Sequence, residues 1–342
     1  EGVDNHPVQV QQYIVNEALY VDWDWQDYYN GPMINLRKMI EVAEVGNDYH
    51  YVGIGKVLQA LCLGNLTSLW GDVPNSEALY GSLNKSPKYD NQQAIYESIQ
   101  TLLDEGISNL NTGYNGLKPS ADDILFHGDS IKWIKVAYAL KARYYMHLTK
   151  KGSSLGFNPS QKALEAIANA MESDDGDLSF PYGFTSAEAN PFYSFAKLRY
   201  LKPNPSFTTL LSAISDPRRN FYYKKKFGVA DLEDSYFTSN NSPVNIITFF
   251  ELKFIEAEAR LRIDELDPLA QTALQDAVRA SLIKVSNGTL DDPTIDAYIN
   301  DNAVLTGDFN NKLSTIIRQK YIAMFSSIES WKIGRASCRE RV

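Results

Sequence analysis

Leu69-Trp70-Gly71-Asp72-Val73-Pro74-Asn75-Ser76-Glu77-Ala78-Leu79 ends one helical run and prepares the next. Upstream, Tyr51 to Leu69 places Ile54, Leu58, Leu61 and Cys62 three or four residues apart, the spacing of one helix face. Gly71 relieves the backbone at the helix end, Asp72 accepts local amide hydrogen bonds, and Pro74 blocks continuation. Helix, stop and helix again is the pattern of stacked helical hairpins.

The same period recurs on both sides. Trp25 to Glu44 carries Met33, Leu36, Ile40 and Ala43. Asp90 to Leu110 carries Ile95, Ile99, Leu102, Leu103 and Ile107, with Asp90 expected as N-cap. Asp129 to Leu148, capped by Asp129, carries Ile131, Ile134, Tyr138, the stem of Lys141, Tyr145 and Leu148. From about Met171 to Val244 the chain is rich in Pro, Gly, Asn, Ser and aromatics, a long irregular stretch of the kind that carries function. Helices resume over Thr248 to Arg262, Pro268 to Val285 and Asn311 to Phe325. No strand series is expected, although Phe180, Tyr182 and Phe184 alternate. The expected fold is mostly α, with tetratricopeptide-like helical hairpins and a loop-rich ligand face, although the tetratricopeptide signature itself is absent.

Composition narrows the function. Hydrophobic residues are 44% of 342, enough for a sizeable core. Tyr (21), Phe (15) and Trp (5) exceed what a core alone uses, so some should line a contact surface. A net charge of -9 repels phosphate backbones and argues against nucleic acid. Lys224-Lys225-Lys226 is expected to be a solvated turn. Cys62 and Cys338 give neither a disulfide framework nor zinc spacing, and Cys62 reads as a buried small hydrophobe. No uninterrupted run of about 18 apolar residues occurs, so no membrane-spanning helix is expected.

Neither end reads as a natural one. Glu1 to Gln12 lacks an initiator Met, a basic region and an apolar segment. Residues 333–342, IGRASCRERV, match one reading frame of a common sequencing adapter and break sharply from the preceding composition. The expected organisation is a single domain over 1–332, truncated at both ends, with a loop-rich insertion at 171–245 and a non-native tail at 333–342.

In this order the motifs resemble the SusD/RagB family of outer-membrane nutrient-binding lipoproteins, in its starch-binding-associated branch. Residues 69–79 are similar to the family's lyGDvPyseA, with Asn75 where the family usually has Tyr. Pro87-Lys88-Tyr89-Asp90, then Ile95-Tyr96, resembles its PkyD-qe-iY segment. Asp123 to Asp129 with Lys132-Trp133, Ala137, Leu140 and Arg143 resembles Di-y-GD-kW-kfAnsLrlR, with Tyr138 in place of the usual Asn. Asn190-Pro191-Phe192-Tyr193, Asp216-Pro217-Arg218, Glu256-Ala257-Glu258-Ala259 and Gln319-Lys320-Tyr321 keep the family's later order. Glu329 and Trp331 fit too, but the expected RRtG-P continuation is replaced by the tail.

The resemblance implies non-catalytic capture of glycans on the outer face of the outer membrane of Bacteroidota-like bacteria. It implies an N-terminal lipid anchor outside this sequence and a SusC-like TonB-dependent transporter as partner. Some members capture peptides instead. The motifs themselves read mainly as scaffold, turns and caps.

Glycans offer apolar C–H faces and hydroxyl edges, so their sites combine flat aromatics with amide, carboxylate or guanidinium groups. Trp23, Trp25, Tyr28 and Tyr29, interleaved with Asp22, Asp24, Gln26 and Asn30, form the richest such cluster. In starch-binding relatives, aromatics near this first helical unit contribute to ligand contact. Trp23 and Trp25, two apart, cannot share a helix face, so one is expected in the core. A second group is Tyr182, Phe192, Tyr193, Arg199 and Tyr200. Each of these aromatics also has a packing role as its alternative.

Catalytic motifs do not emerge. His6, His50, His127 and His147 form no His-Glu-x-x-His, and no Gly-x-Ser-x-Gly elbow or Walker loop is present. Asp122-Asp123 alone cannot define a glycosidase, which needs two carboxyls held about 5–10 Å apart. No cofactor is expected. Asp174-Asp175-Gly176-Asp177 offers oxygen ligands for calcium but reads first as a solvated turn. A glycoside hydrolase and a ligand-free helical scaffold are the competing classes.

Overall fold

Tyr49–Trp70 forms a helix apolar on nearly every side, and such a helix must be surrounded. In the computed structural model, which describes residues 22–113, 116–197, 202–226 and 229–327, it is. The elements before it are α1 (Asp22–Tyr28), a π-helical turn (Tyr29–Met33), α2 (Ile34–Gly46) and then this helix, α3. After it come α4 (Gln92–Asn111) and α5 (Ser130–Met146). Helices α2, α4 and α5 all pack on α3, burying Val57, Leu63, Leu66, Ile95, Ile99, Leu103, Trp133 and Tyr144. Each such aliphatic side chain contributes roughly 1.5–3 kcal/mol.

By length and composition α3 could cross a membrane, contrary to the expectation from uninterrupted apolar runs. Gly, Ser, Thr and Asn interrupt the run without lowering its mean hydropathy enough. Most of that surface is covered by the protein's own helices. Cys62 is buried within it, as expected.

Local chemistry sets the boundaries. Asn47 ends α2 in the left-handed conformation, its amide donating to the Ala43 and Glu44 carbonyls, and two residues later α3 begins. Gly71 stops α3 at φ +82°. Asp72 does not act locally as expected: its Oδ1 accepts the Gln92 amide at 2.8 Å, twenty residues on. Asp90 is not the cap of α4 either. Asn91 takes that place, accepting the Ala94 amide, and Asp90 turns back to the stop segment.

Asp123 explains the third motif. Its carboxylate accepts the amides of Leu125, Phe126 and Gly128 and the Trp133 indole N–H, the last at 2.8 Å. Asp129 caps α5 as predicted, accepting from Ile131 and Lys132. Ile131, expected in the apolar stripe, is 65% exposed, whereas the Lys141 stem is buried and its ammonium pairs with Asp104. Gly128 sits at φ +80°, and an added Cβ would lie 1.9 Å from the Pro119 carbonyl oxygen. Gly128→Ala should therefore destabilise the protein by more than about 1 kcal/mol in urea titration. A neutral effect would mean that this turn does not constrain the fold.

The chain forms two compact units. Helices α1 to α5 belong to one. The other takes 172–327 of the described residues, with 158–164, and is described by itself. Helix α6 (Pro159–Ile167) contributes its residues 159–164 to it. The loop-rich stretch holds β1 (Leu178–Phe180), α7 (Pro191–Lys197), α8 (Pro205–Ala213), α9 (Arg219–Tyr222), β2 (Lys224–Lys226) and β3 (Val229–Asp231). The Lys224-Lys225-Lys226 run is thus a strand, paired antiparallel with β3, and not a turn. β4 (Val244–Ile247) pairs antiparallel with β1, Phe180 opposite Val244.

Helices α10 (Phe249–Ile263), α11 (Pro268–Ser286), α12 (Asp292–Asn302) and α13 (Phe309–Ala323) complete this unit. Phe254, Ala257, Leu274, Val278, Ile299 and Ile316 share one core. Thr248 and Asp267 cap α10 and α11, and Pro268 opens α11. α12 was not foreseen. The predominance of helix bears out the predicted fold class.

The Asp216-Pro217-Arg218 motif lies at this unit's centre. Arg218 is fully buried, pairs with Asp216 at 2.7 Å, and donates to Ser281, Tyr298 and Gln319. Two landmarks 101 residues apart, Arg218 and Gln319, are therefore one network. Asn190, also fully buried, donates to the carbonyls of Ser242 and Phe237, pinning a loop.

Candidate functional site

Trp25 and Tyr29 are four residues apart, so α1 and the π-helical turn bring their rings to one face, with centroids 5.0 Å apart. Pro32 lies inside that turn and supplies no amide donor, which suits the widened backbone. Tyr28 points elsewhere: its hydroxyl accepts from Asn65 Nδ2 at 3.1 Å. Asn30 is exposed on the turn.

Two further rings complete the group. Trp70, the last residue of α3, meets Trp25 edge-on at 5.2 Å and 81°. Tyr89, just before α4, lies nearly parallel to Trp25, at 18° and 6.0 Å. Tyr89 is 63% exposed, while Trp25, Tyr29 and Trp70 are half-buried. The result is a stacked pair of rings, Trp25 and Tyr89, with Trp70 perpendicular to Trp25. Leu69, 48% exposed, precedes Trp70 in the chain.

A clasp of hydrogen bonds underlies these rings. The Tyr29 hydroxyl donates to the Pro74 carbonyl at 2.7 Å. Val73 and Asp90 exchange backbone hydrogen bonds in an isolated antiparallel bridge. The Asp90 carboxylate accepts from the amides of Asn75 and Ser76 and from the Ser76 hydroxyl, at 3.1, 2.7 and 2.8 Å. Gln92 Nε2 donates to the Thr67 carbonyl, one turn before Trp70. Burial opposes ionisation of Asp90, but the Ser76 and Asn75 donors and nearby Lys88 outweigh it, holding the carboxyl below its ordinary value. Burial pushes the Tyr29 phenol up, reinforced by Tyr89 and Asp90, so it stays a neutral donor.

An aromatic–cation pair is built nearby in the chain. The Arg37 guanidinium lies 3.9 Å over the Tyr80 ring and donates to the Ala78 carbonyl. Tyr80 is 45% exposed.

The second predicted group is only partly placed. Arg199 and Tyr200 lie outside the described residues, as does the Trp23 side chain. Tyr193 is half-buried on α7, with Lys197 Nζ 5.4 Å over its ring. Tyr182 packs on Phe180 at 5.1 Å. Phe192 lines a cavity of about 120 Å³ with Tyr222, Tyr236, Phe237, Phe250 and Phe325. Tyr182, Phe192 and Tyr193 are all half-buried.

The acidic candidates are engaged structurally. Asp122 accepts from the Tyr51 hydroxyl at 2.6 Å and from the Ser120 amide, and Asp123 holds its own turn and Trp133. Asp177 is buried and not solvated as expected: it accepts the Phe249 amide and pairs with Lys284 at 2.8 Å. Its carboxylate is therefore already matched by a cation. Among the described residues, no group of three or more His, Cys, Asp or Glu side chains is arranged to hold a metal.

Sequence reasoning found Trp25 and Tyr29 but not Trp70 and Tyr89. The available signal was position: each of the latter sits beside a motif landmark, Gly71-Asp72 and Asp90. Exposed aromatic faces can stack on the C–H faces of sugar rings, and the neighbouring amides and carboxylates can meet hydroxyls.

A family model described as starch-binding and associating with the outer membrane, for SusD-like proteins, matches residues 4–333. No curated protein matches the chain. Among solved structures, the chain is similar to a SusD/RagB family protein from Bacteroides thetaiotaomicron: 28% identity, TM-score 0.72, over 89% of this chain and 73% of that one. A chitin-binding SusD homolog from Flavobacterium johnsoniae matches with TM-score 0.78 and 17% identity, over 91% and 73%. A SusD homolog from Bacteroides fragilis matches with TM-score 0.77 and 21% identity, over 91% and 77%. The last two likenesses concern the fold.

Proposed function

Because the chain belongs to the SusD-like family, whose members bind nutrients and glycans at the outer membrane, we propose that it captures oligosaccharides on the Trp25–Tyr89 surface without cleaving them. The observation that supports this most is the exposed Tyr89 ring set nearly parallel to Trp25, with Trp70 upright against it. A sugar can lay its apolar face on the exposed Tyr89 ring, which Trp25 backs by stacking. In the same proposal, an N-terminal lipid anchors the protein to the outer face of the membrane. The captured glycan passes to a SusC-like TonB-dependent transporter.

The family description names starch, and the Flavobacterium johnsoniae relative is described as chitin-binding. Malto- and chito-oligosaccharides are therefore the first ligands to try. Incubation of the protein with labelled forms of both should give retention with no new reducing ends. Released reducing ends would refute the non-catalytic reading. Retention of peptides in place of both sugars would move the protein to the peptide-capturing members.

A further inference from the structure

The rings of the proposed surface come from three separate segments: Trp25 from α1, Trp70 from the end of α3, and Tyr89 from the connection before α4. Nothing in the backbone of any one segment fixes its ring against the others. Two of them are joined by the Val73–Asp90 backbone bridge, by Gln92 bonded to Asp72 and Thr67, and by the Asp90 carboxylate, one residue from Tyr89, which gathers the Asn75 amide, the Ser76 amide and the Ser76 hydroxyl. Those donors lie in the stop segment that begins at Gly71, next to Trp70. The same segment supplies the Pro74 carbonyl that receives the Tyr29 hydroxyl, one helical turn beyond Trp25.

We propose that Asp90 is a positioning residue for glycan capture: its carboxylate sets the angle between the Trp25–Tyr89 pair and Trp70 and so prepares the surface before ligand arrives. This rests on the capture proposal above and adds what holds that site in shape. The carboxylate does not need to touch the sugar. Its three donors occupy both oxygens, so it acts through the backbone it clamps.

Two alternatives lead elsewhere. A plain helix cap would take donors from the first turn of α4, and Asn91 already serves there. A charge partner for a cationic ligand would keep free acceptor capacity facing solvent, whereas this carboxylate is turned onto the stop segment. Hydrogen bonds to an ionised acceptor are stronger than neutral ones, which suits a residue holding two segments in register. The lowered carboxyl of Asp90 keeps it charged throughout the neutral range.

The test has two independent readouts. The first is affinity for chitohexaose and maltoheptaose. The second is the exciton couplet of the Trp25–Trp70 pair in circular dichroism, which reports ring geometry without ligand and is referenced to Trp25→Phe. Asp90→Ala should bind about tenfold more weakly and lose most of the couplet while keeping its helical content. Asp90→Asn, which keeps one acceptor oxygen, should recover part of both. An unchanged couplet in folded Asp90→Ala overturns the proposal, whatever the affinity does. If Asp90→Ala does not fold, Ser76→Ala removes one exposed donor and should lower the couplet and weaken binding about twofold. No change in either there also overturns it. Wild-type protein that retains neither sugar defeats the capture reading, and the couplet still decides the role of Asp90.

Discussion

Arg218→Met is expected to remove about 3–5 kcal/mol of folding stability, the loss that follows when one member of a buried ion pair is deleted. Total stabilities of about 5–15 kcal/mol make this a large fraction. Arg218 and Asp216 are both inaccessible to solvent. Without the guanidinium, the Asp216 carboxylate keeps the Tyr298 hydroxyl but loses its cation, and Ser281 and Gln319 lose a shared donor. The pH dependence should change sign. In the wild type, burial opposes ionisation of Asp216, but Arg218 and Tyr298 outweigh it and hold the carboxyl below its ordinary value. Its contribution is therefore present above the unfolded carboxylate pKa and lost as pH falls through the folded one. In the variant the cation is gone and only the Tyr298 hydroxyl and the backbone amide of position 218 still oppose burial, so desolvation is expected to raise the folded pKa above the unfolded one. The variant is then weakest near neutral pH, and its deficit shrinks as the medium becomes acidic. Urea titrations at neutral and mildly acidic pH measure both. The added change Asp216→Asn should recover much of the loss, since it removes the unpaired charge and keeps an acceptor for the Arg218-position amide and Tyr298. A deficit below about 1 kcal/mol, or one that does not vary with pH, would mean that the network is not a main support of this unit.

The network also marks where sequence patterns stop informing. Helices with long apolar periods, such as α3 and α11, are visible because burial on one or all sides repeats along many turns. α12 is not, because only Ile295, Tyr298 and Ile299 of its 11 residues are buried. The α4 cap was misplaced by one residue because Asp90 and Asn91 are both good acceptors; only the distant Ser76 decides which is free to cap. Ile131 fits the apolar spacing of α5, yet it is 65% exposed. β1 and β4 are short and 66 residues apart at Ser179 and Asn245, so no local alternation announces their pairing. The site follows the same division. Trp25 and Tyr29 share a helix face, which spacing reveals. Trp70 and Tyr89 join them only through the Val73–Asp90 bridge and the clasp beside it, which are long-range contacts. Aspartates that looked chemical in isolation, Asp123 and Asp177, are acceptors for buried donors once the chain is folded.

Trp25→Ala should weaken oligosaccharide binding by about 2 kcal/mol, roughly 30-fold, because Trp25 is the only ring of the group in contact with all three others. Removing Tyr89 takes away one stacking face, but removing Trp25 separates Tyr89 from Trp70 as well. The fold should survive. Trp25 is half-buried, and its aromatic contacts are worth about 0.5–1.5 kcal/mol each at most, within the stability of an ordinary domain. Trp25→Phe keeps a ring in the same place and should lose only a few-fold. Tyr193→Ala provides the contrast. It alters the other predicted aromatic group, where Lys197 covers the ring and the neighbouring Phe192 lines a separate cavity, and should leave affinity near the wild-type value. Isothermal titration of the four proteins with the sugar that the wild type retains separates the cases. If Tyr193→Ala abolishes binding while Trp25→Ala does not, the ligand rests on the loop-rich stretch, and the ring group at Trp25 only joins α1 to the ends of its neighbouring helices.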